Sequence, residues 1–206
     1  MKKIYYLLLL ALPLVLQSCF KDDDDIFDKS ASQRMEERLV HDQQVLMGAT
    51  NGWIMEYFPE KKQSYGGYTM FVKFGDNNAV TVASEKGKAD QTETSMYELI
   101  ADSGPVLTFN THNSLFHYFS DPNNPDEIGP IDSGMGGDYE FMVLEATPEK
   151  VHLKGKKTGN TIIMTPIATD TSWPDLMQKY IDMADIMNSA ASSFNFTMGD
   201  LKATAT

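Results

Sequence analysis

The sequence predicts a mainly β fold, an eight-stranded antiparallel meander that closes toward a barrel, with one helix before it and one after. Three observations predict this. The apolar period changes from about 3.6 to 2 at Gly52. Short alternating segments then recur, separated by turn-forming residues. Segments of helical period stand on either side of them.

The first helix is expected over Ser30 to Ala49. Ser30 followed by Gln33 is a capping-box pattern, in which each side chain satisfies the other residue's free N–H. Met35, Leu39, Leu46 and Ala49 share a face, with Asp42 interrupting it, and Asn51-Gly52 stops the helix. Arg34, Glu36, Glu37 and Arg38 form its solvated side.

Trp53 to Phe58 is the first expected strand, ended by Pro59. Tyr68 to Phe74 is the second, with Tyr68, Met70, Val72 and Phe74 on one face. The turn Gly75-Asp76-Asn77-Asn78 leads to Ala79 to Ser84. Ser95 to Ile100 and Val106 to Phe109 form a hairpin about Asp102-Ser103-Gly104-Pro105. Asp138 to Ala146, Val151 to Lys154 and Thr161 to Thr165 complete the meander. A closed barrel removes exposed strand edges, and eight strands leave room for packed side chains or one small ligand. A long segment, Asn110 to Gly137, interrupts the meander. Loops of that length in compact domains are functional or mobile.

The second helix starts near Ser172-Trp173-Pro174, with Ser172 as cap and Pro174 in the first turn. Leu176, Tyr180, Met183 and Met187 make its expected apolar stripe. Phe194, Phe196 and Met198 then alternate with polar residues, as though an unpaired strand were starting. The domain reading is therefore a leader over 1–18, an acidic linker over 19–29, the helix and barrel over 30–170, and over 171–206 a helix with the start of a truncated second domain.

Met1-Lys2-Lys3 is a basic start, and Ile4 to Leu16 is an apolar run shorter than the roughly 20 residues needed to span a bilayer. Together they fit a signal peptide. Leu16-Gln17-Ser18-Cys19 resembles a bacterial lipobox. Cys19 is the only cysteine and has no internal disulfide partner. Acylation at Cys19, by fatty chains such as palmitate, accounts for it and anchors the chain to a membrane without a transmembrane helix. Phe20-Lys21-Asp22-Asp23-Asp24-Asp25 resembles the Lys-plus-acidic export tag of Bacteroidetes lipoproteins. That resemblance implies an outer-membrane location facing the cell exterior.

The formal net charge is −12, and loss of Lys2 and Lys3 with the leader makes it two units more negative. This balance excludes nucleic acid as a partner, since phosphate binding needs clustered Lys and Arg.

Four segments together carry a family resemblance. They are Gly52-Trp53-Ile54-Met55-Glu56-Tyr57-Phe58-Pro59; Ser64-Tyr65-Gly66-Gly67-Tyr68; Gly104 to Phe109 with His117-Tyr118-Phe119; and Leu153 to Asn160. In this order they resemble a Bacteroidetes lipoprotein family catalogued as domain of unknown function 4302, over about Ile26 to Trp173. The resemblance implies no activity. A helix followed by a strand meander also resembles lipocalin-type barrels, in topology alone.

No His-Glu-x-x-His, Gly-x-Ser-x-Gly or phosphate-binding loop is present, so no catalytic set, metal or cofactor is expected. His112 and His117, five residues apart, match no metal-ligand spacing. The ligand-binding candidates are Tyr65 and Tyr68, which flank Gly66-Gly67 as an aromatic platform would, and His117 and Tyr118 in the long segment. The expected function is a non-catalytic accessory lipoprotein in nutrient uptake. It would bind a small ligand or glycan, an outer-membrane transporter or another surface protein. Two alternatives stand beside it. One is a glycan- or peptide-hydrolysing enzyme using loop acids such as Asp132, Asp138 and Glu140. The other is a structural partner of an outer-membrane complex.

Overall fold

The computed structural model describes residues 28–189, together with the backbone of 194–198 and 201–205. Cys19 and the acidic tag lie outside the described residues. The chain divides into two units, Met1–Arg34 and Met35–Thr206. In the first, the described residues carry the capping box: Ser30 N–H donates to Gln33 Oε1 at 3.0 Å, and Gln33 N–H donates to Ser30 Oγ at 3.3 Å.

Helix α1 (Ala31–Gly48) starts at that cap. Its buried residues are Leu46 and Asp42. A buried carboxylate needs a partner, and Arg38 Nε lies 2.7 and 2.9 Å from the two Asp42 oxygens. The residue that interrupts the apolar face is thus neutralised one helical turn away.

Nine strands follow in one antiparallel sheet: β1 (Trp53–Tyr57), β2 (Tyr68–Phe74), β3 (Ala79–Ser84), β4 (Glu93–Met96), β5 (Glu98–Ala101), β6 (Pro105–Thr108), β7 (Glu140–Ala146), β8 (Val151–Gly155) and β9 (Thr161–Pro166). Their order is β4-β3-β2-β1-β9-β8-β7-β6-β5. The two ends of this sheet, β4 and β5, are consecutive in the chain and separated only by Tyr97. One bent segment therefore pairs with β3 on one side and with β6 on the other, so the sheet nearly closes into a barrel. The expected strand over Ser95 to Ile100 is this segment, broken at Tyr97, which is why eight expected strands are found as nine. Tyr97 N–H donates to the Asn78 carbonyl at 2.9 Å, a bond that draws the bend toward β3.

The barrel interior is filled. Trp53, Met55 and Tyr57 of β1 meet Met70, Val72 and Phe74 of β2, Val80 and Val82 of β3, and Leu153, Ile162 and Met164 of β8 and β9. Each is nearly or fully buried. This is the packed-core outcome of an eight-strand perimeter. Leu46 joins the same core, and Trp53 Nε1 donates to the Leu46 carbonyl at 2.8 Å.

A second, smaller core lies on the other face of β2. Phe71, Ala83 and Ile167 are covered there by α2 (Trp173–Ser189) through Met177, with Trp173, Leu176, Tyr180 and Ile181 around it. Trp173 stacks edge-on against Phe71 at 5.5 Å and donates its Nε1–H to the Asn51 carbonyl. The expected stripe of α2 is corrected in its second half. Met183 and Met187 are 58% and 47% exposed, because the contacts with the sheet end near Ile181. Phe194–Met198 is a strand, β10, and it has a partner in β11 (Leu201–Ala205), with Phe196 opposite Ala203. The expected unpaired strand is therefore one half of a hairpin.

Candidate functional site

The segment between β6 and β7 is a folded plug. Phe116 and Phe119 enter the aromatic core from it. Phe116 stacks on Phe109 at 3.8 Å, and Phe119 lies 4.7 Å from both Tyr57 and Tyr68. Its first residues cover β4: Asn113 Nδ2 donates to the Glu93 carbonyl and to Ser95 Oγ, each at 3.2 Å. Further along, Asn124 is buried and holds a turn on itself, with Nδ2 donating to the Ile128 carbonyl and Oδ1 accepting the Ile128 N–H. At the end of the plug, Gly137 N–H donates to the Phe119 carbonyl at 2.8 Å. A Cβ on Gly137 would fall on Tyr57 Oη and lie 2.8 Å from the Phe119 oxygen, so only glycine fits.

This fixed plug forms one wall of a surface cleft of about 590 Å³. The opposite wall is the β1–β2 loop, with Glu60, Lys62, Ser64 and Tyr65. The plug contributes Ser120, Asp132, Ser133, Met135 and Gly136, and the β8–β9 turn adds Lys157. The volume lies within the range of small-ligand sites, about 300–1,000 Å³. An adjoining cleft of about 530 Å³ shares Pro122, Pro130 and Asp132 with it.

The walls are set by hydrogen bonds. Glu60 accepts the Ser64 N–H at 2.6 Å and the Lys62 N–H at 2.9 Å, which folds the β1–β2 loop. Those donors hold the Glu60 carboxyl below the usual carboxylate range, the Ser64 amide first among them. Asp138, buried, accepts the Lys157 N–H at 2.7 Å, the Thr158 N–H at 3.0 Å and the Thr158 hydroxyl, which fixes the β8–β9 turn.

Of the candidate residues, Tyr65 lies on the cleft, half-buried. Tyr68 stands behind it: its ring packs on Phe119, and its hydroxyl donates to Met135 Sδ at 3.8 Å. At Gly67 the Phe58 ring occupies the space a side chain would take, whereas Gly66, at φ +75°, has open space around it.

His117 and Tyr118 are not brought to this cleft. His117 is a structural residue. Its Nδ1 accepts the Asn113 N–H at 3.1 Å, and its Nε2 lies 3.1 Å from the Phe109 carbonyl. Burial pushes its pKa down, which keeps the ring neutral and both nitrogens engaged. His112 stacks on it at 5.4 Å. Tyr118 donates to Asp126 Oδ2 at 2.5 Å, and Lys86 Nζ reaches the same oxygen at 2.5 Å. Burial first, and then the hydrogen bond to Asp126, pushes the Tyr118 phenol up to about 12. This triad ties the plug to the β3–β4 turn.

The loop acids also separate. Asp138 is a turn-fixing group, and Glu140 lies 3.8 Å from Lys156 Nζ. Asp132 alone of the three lines the cleft, where it shares the space with Glu60. Among the described residues, no group of three or more His, Cys, Asp or Glu side chains is placed to hold a metal ion. Among them, too, no helix is long and apolar enough to cross a membrane.

The sequence did not point to Lys62, Met135, Gly136 or Lys157 as cleft residues. Lys157 carries one local signal, its place in a predicted hairpin turn. Its meeting with Gly136 depends on the path of the plug.

No curated protein and no solved structure matches the chain. One family model matches, over residues 23–204, which is most of the chain. On that match the chain belongs to the family described as domain of unknown function DUF4302.

Proposed function

We propose that this protein is an outer-membrane lipoprotein of Bacteroidetes type, anchored through acylated Cys19 and facing the cell exterior. There it binds a small ligand of the glycan class as an accessory in nutrient uptake. The observation that carries the binding reading is the cleft between the β1–β2 loop and the plug. It has fixed walls, an aromatic side chain at Tyr65, and hydroxyls from Ser64 and Ser133. The filled barrel interior supports an outside site over a lipocalin-style inside one. The anchor rests on the leader and on Cys19, the only cysteine. Titration of the full-length protein in detergent against a panel of neutral and charged oligosaccharides tests the binding reading. Saturable binding that Tyr65→Ala weakens, at unchanged thermal stability, is expected. Binding that is unaffected by Tyr65→Ala contradicts the assignment of the site.

A second reading, a glycoside or peptide hydrolase, draws on Glu60 and Asp132 sharing one cleft. Acid–base hydrolysis needs one carboxyl held protonated near neutral pH, and Glu60 is shifted the opposite way. Turnover of any panel sugar, abolished by Asp132→Asn, would favour this reading over simple binding.

A further inference from the structure

We infer that the ligand of this cleft is an acidic saccharide, whose carboxylate or sulfate is received between Lys157 and the backbone of the plug at Gly136. The inference rests on the cleft reading above and adds the charge class of the ligand.

Lys157 stands on a turn that does not yield easily. Its own N–H is bound by buried Asp138, the Lys156 N–H donates to the Glu140 carbonyl at 2.9 Å, and the Gly155 N–H donates to the Asn160 carbonyl at 2.9 Å. Lys156, its neighbour, points to Asp102 at 2.8 Å and is neutralised there. Lys157 has no such partner: among the described residues no carboxylate lies within ion-pair distance of it or of Lys62. The Lys157 ammonium instead lies 3.9 Å from where a Cβ of Gly136 would be, over bare backbone.

That backbone also offers a donor. Gly134 and Gly136 adopt positive φ, +54° and +67°, so the chain turns twice within three residues. The Gly134 N–H is used, donating to the Pro130 carbonyl, and the Gly137 N–H is used on Phe119. The Gly136 N–H has no acceptor among the described residues, while the Met135 amide is buried against Gly129. A free amide in a turn of left-handed glycines, next to an unpaired ammonium, is the kind of donor pair that takes an oxyanion. A charged acceptor there makes shorter and stronger hydrogen bonds than a hydroxyl would.

Two carboxylates share the cleft. Glu60 is held ionised by the Ser64 and Lys62 amides and by the Lys62 charge, and Asp132 is exposed on the same cleft. Among the described residues, the corner of Lys157 and Gly136 is the part with no carboxylate at ion-pair distance from its ammonium. Tyr65 supplies a ring against which the apolar face of a sugar can lie, while the Ser64 and Ser133 hydroxyls line the same space. A small inorganic anion would use only the Gly136 corner. A saccharide uses the corner, the ring and the hydroxyls together.

The test is isothermal titration of the full-length protein in detergent with four probes. These are an oligogalacturonate, its methyl ester, a sulfated galactan oligosaccharide and its desulfated form. One or both charged probes should bind about ten-fold or more tightly than their neutral forms, with binding that weakens as salt rises. Lys157→Gln should remove most of that preference, and Lys157→Arg should keep it. Both are surface changes that leave the melting temperature in place. Equal binding of charged and neutral forms, or a preference untouched by Lys157→Gln, overturns the inference and leaves the cleft reading standing. Binding of no probe, with neutral sugars also inert, overturns both.

Discussion

Asp138→Ala tests how the cleft is held together. Asp138 is 3% exposed, and its side chain accepts three hydrogen bonds, from the Lys157 and Thr158 amides and the Thr158 hydroxyl. Its own carbonyl separately accepts the Tyr57 phenol at 2.8 Å, a bond that alanine keeps. Hydrogen bonds to a charged group contribute about 1.5–3 kcal/mol each. The three share one carboxylate and are not additive, and water can reach part of the turn once the side chain is gone. The expected loss is therefore about 3–5 kcal/mol, below the simple sum. For a chain of this size each kcal/mol moves the midpoint by about 2–4 °C, so the melting temperature should fall by roughly 10 °C. Thermal melts followed by far-UV circular dichroism read this directly. Asp138→Asn, which keeps the shape and loses the charge, should fall between wild type and alanine. A drop of less than about 3 °C for Asp138→Ala would refute the view that this carboxylate fixes the β8–β9 turn.

Three further outcomes are expected. His117 is held neutral, with its pKa pushed below the ordinary value of about 6.5 chiefly by burial. The unfolded chain then binds the proton first, so stability falls as pH drops from about 6.5 through the lowered folded value. Urea unfolding at pH 7 and pH 5 should show a larger loss for wild type than for His117→Gln. Gly137→Ala forces a methyl against Tyr57 Oη and the Phe119 carbonyl; overpacking of this kind costs about 1–3 kcal/mol, which chemical denaturation at constant m-value will measure. Arg38→Met strips from fully buried Asp42 the partner that bonds both its oxygens, and leaves it His41 Nδ1 at 3.2 Å. It should destabilise by about 3 kcal/mol, and adding Asp42→Leu should recover most of that in a double-mutant cycle.

The strands were legible because their signal is local. Tyr68, Met70, Val72 and Phe74 alternate, and Met70, Val72 and Phe74 are buried in the barrel as the pattern requires. The bend at Tyr97 was not legible, since Met96 to Ile100 carries no Gly, Pro, Asn or Asp to mark it. What breaks the strand is pairing with two different neighbours, β3 and β6, which is a property of closure. The plug was legible as a long insertion, but its fold was not. Phe116 and Phe119 find their partners across the barrel mouth, and nothing in the local pattern separates a core ring from an exposed one. Met183 and Met187 continue a helical stripe faithfully yet lie exposed, because periodicity says which face is apolar and not how far the neighbouring sheet extends. At the site, Tyr65 was singled out as a ring flanking Gly66-Gly67, and it lines the cleft. His117 and Tyr118 were chosen from residue type, and their hydrogen bonds proved to serve the plug. Asp138 and Lys157 act together through a turn, and the sequence showed the turn without the carboxylate that holds it.

The cleft lined by Tyr65 and Lys157 is expected to bind a ligand. Native mass spectrometry of the protein purified from the cells that make it, beside the Tyr65→Ala and Lys157→Gln forms, tests it most directly. A saccharide adduct is expected on the wild-type protein, depleted in both variants. Wild-type protein that carries no adduct and takes up none from added acidic or neutral sugars would contradict it.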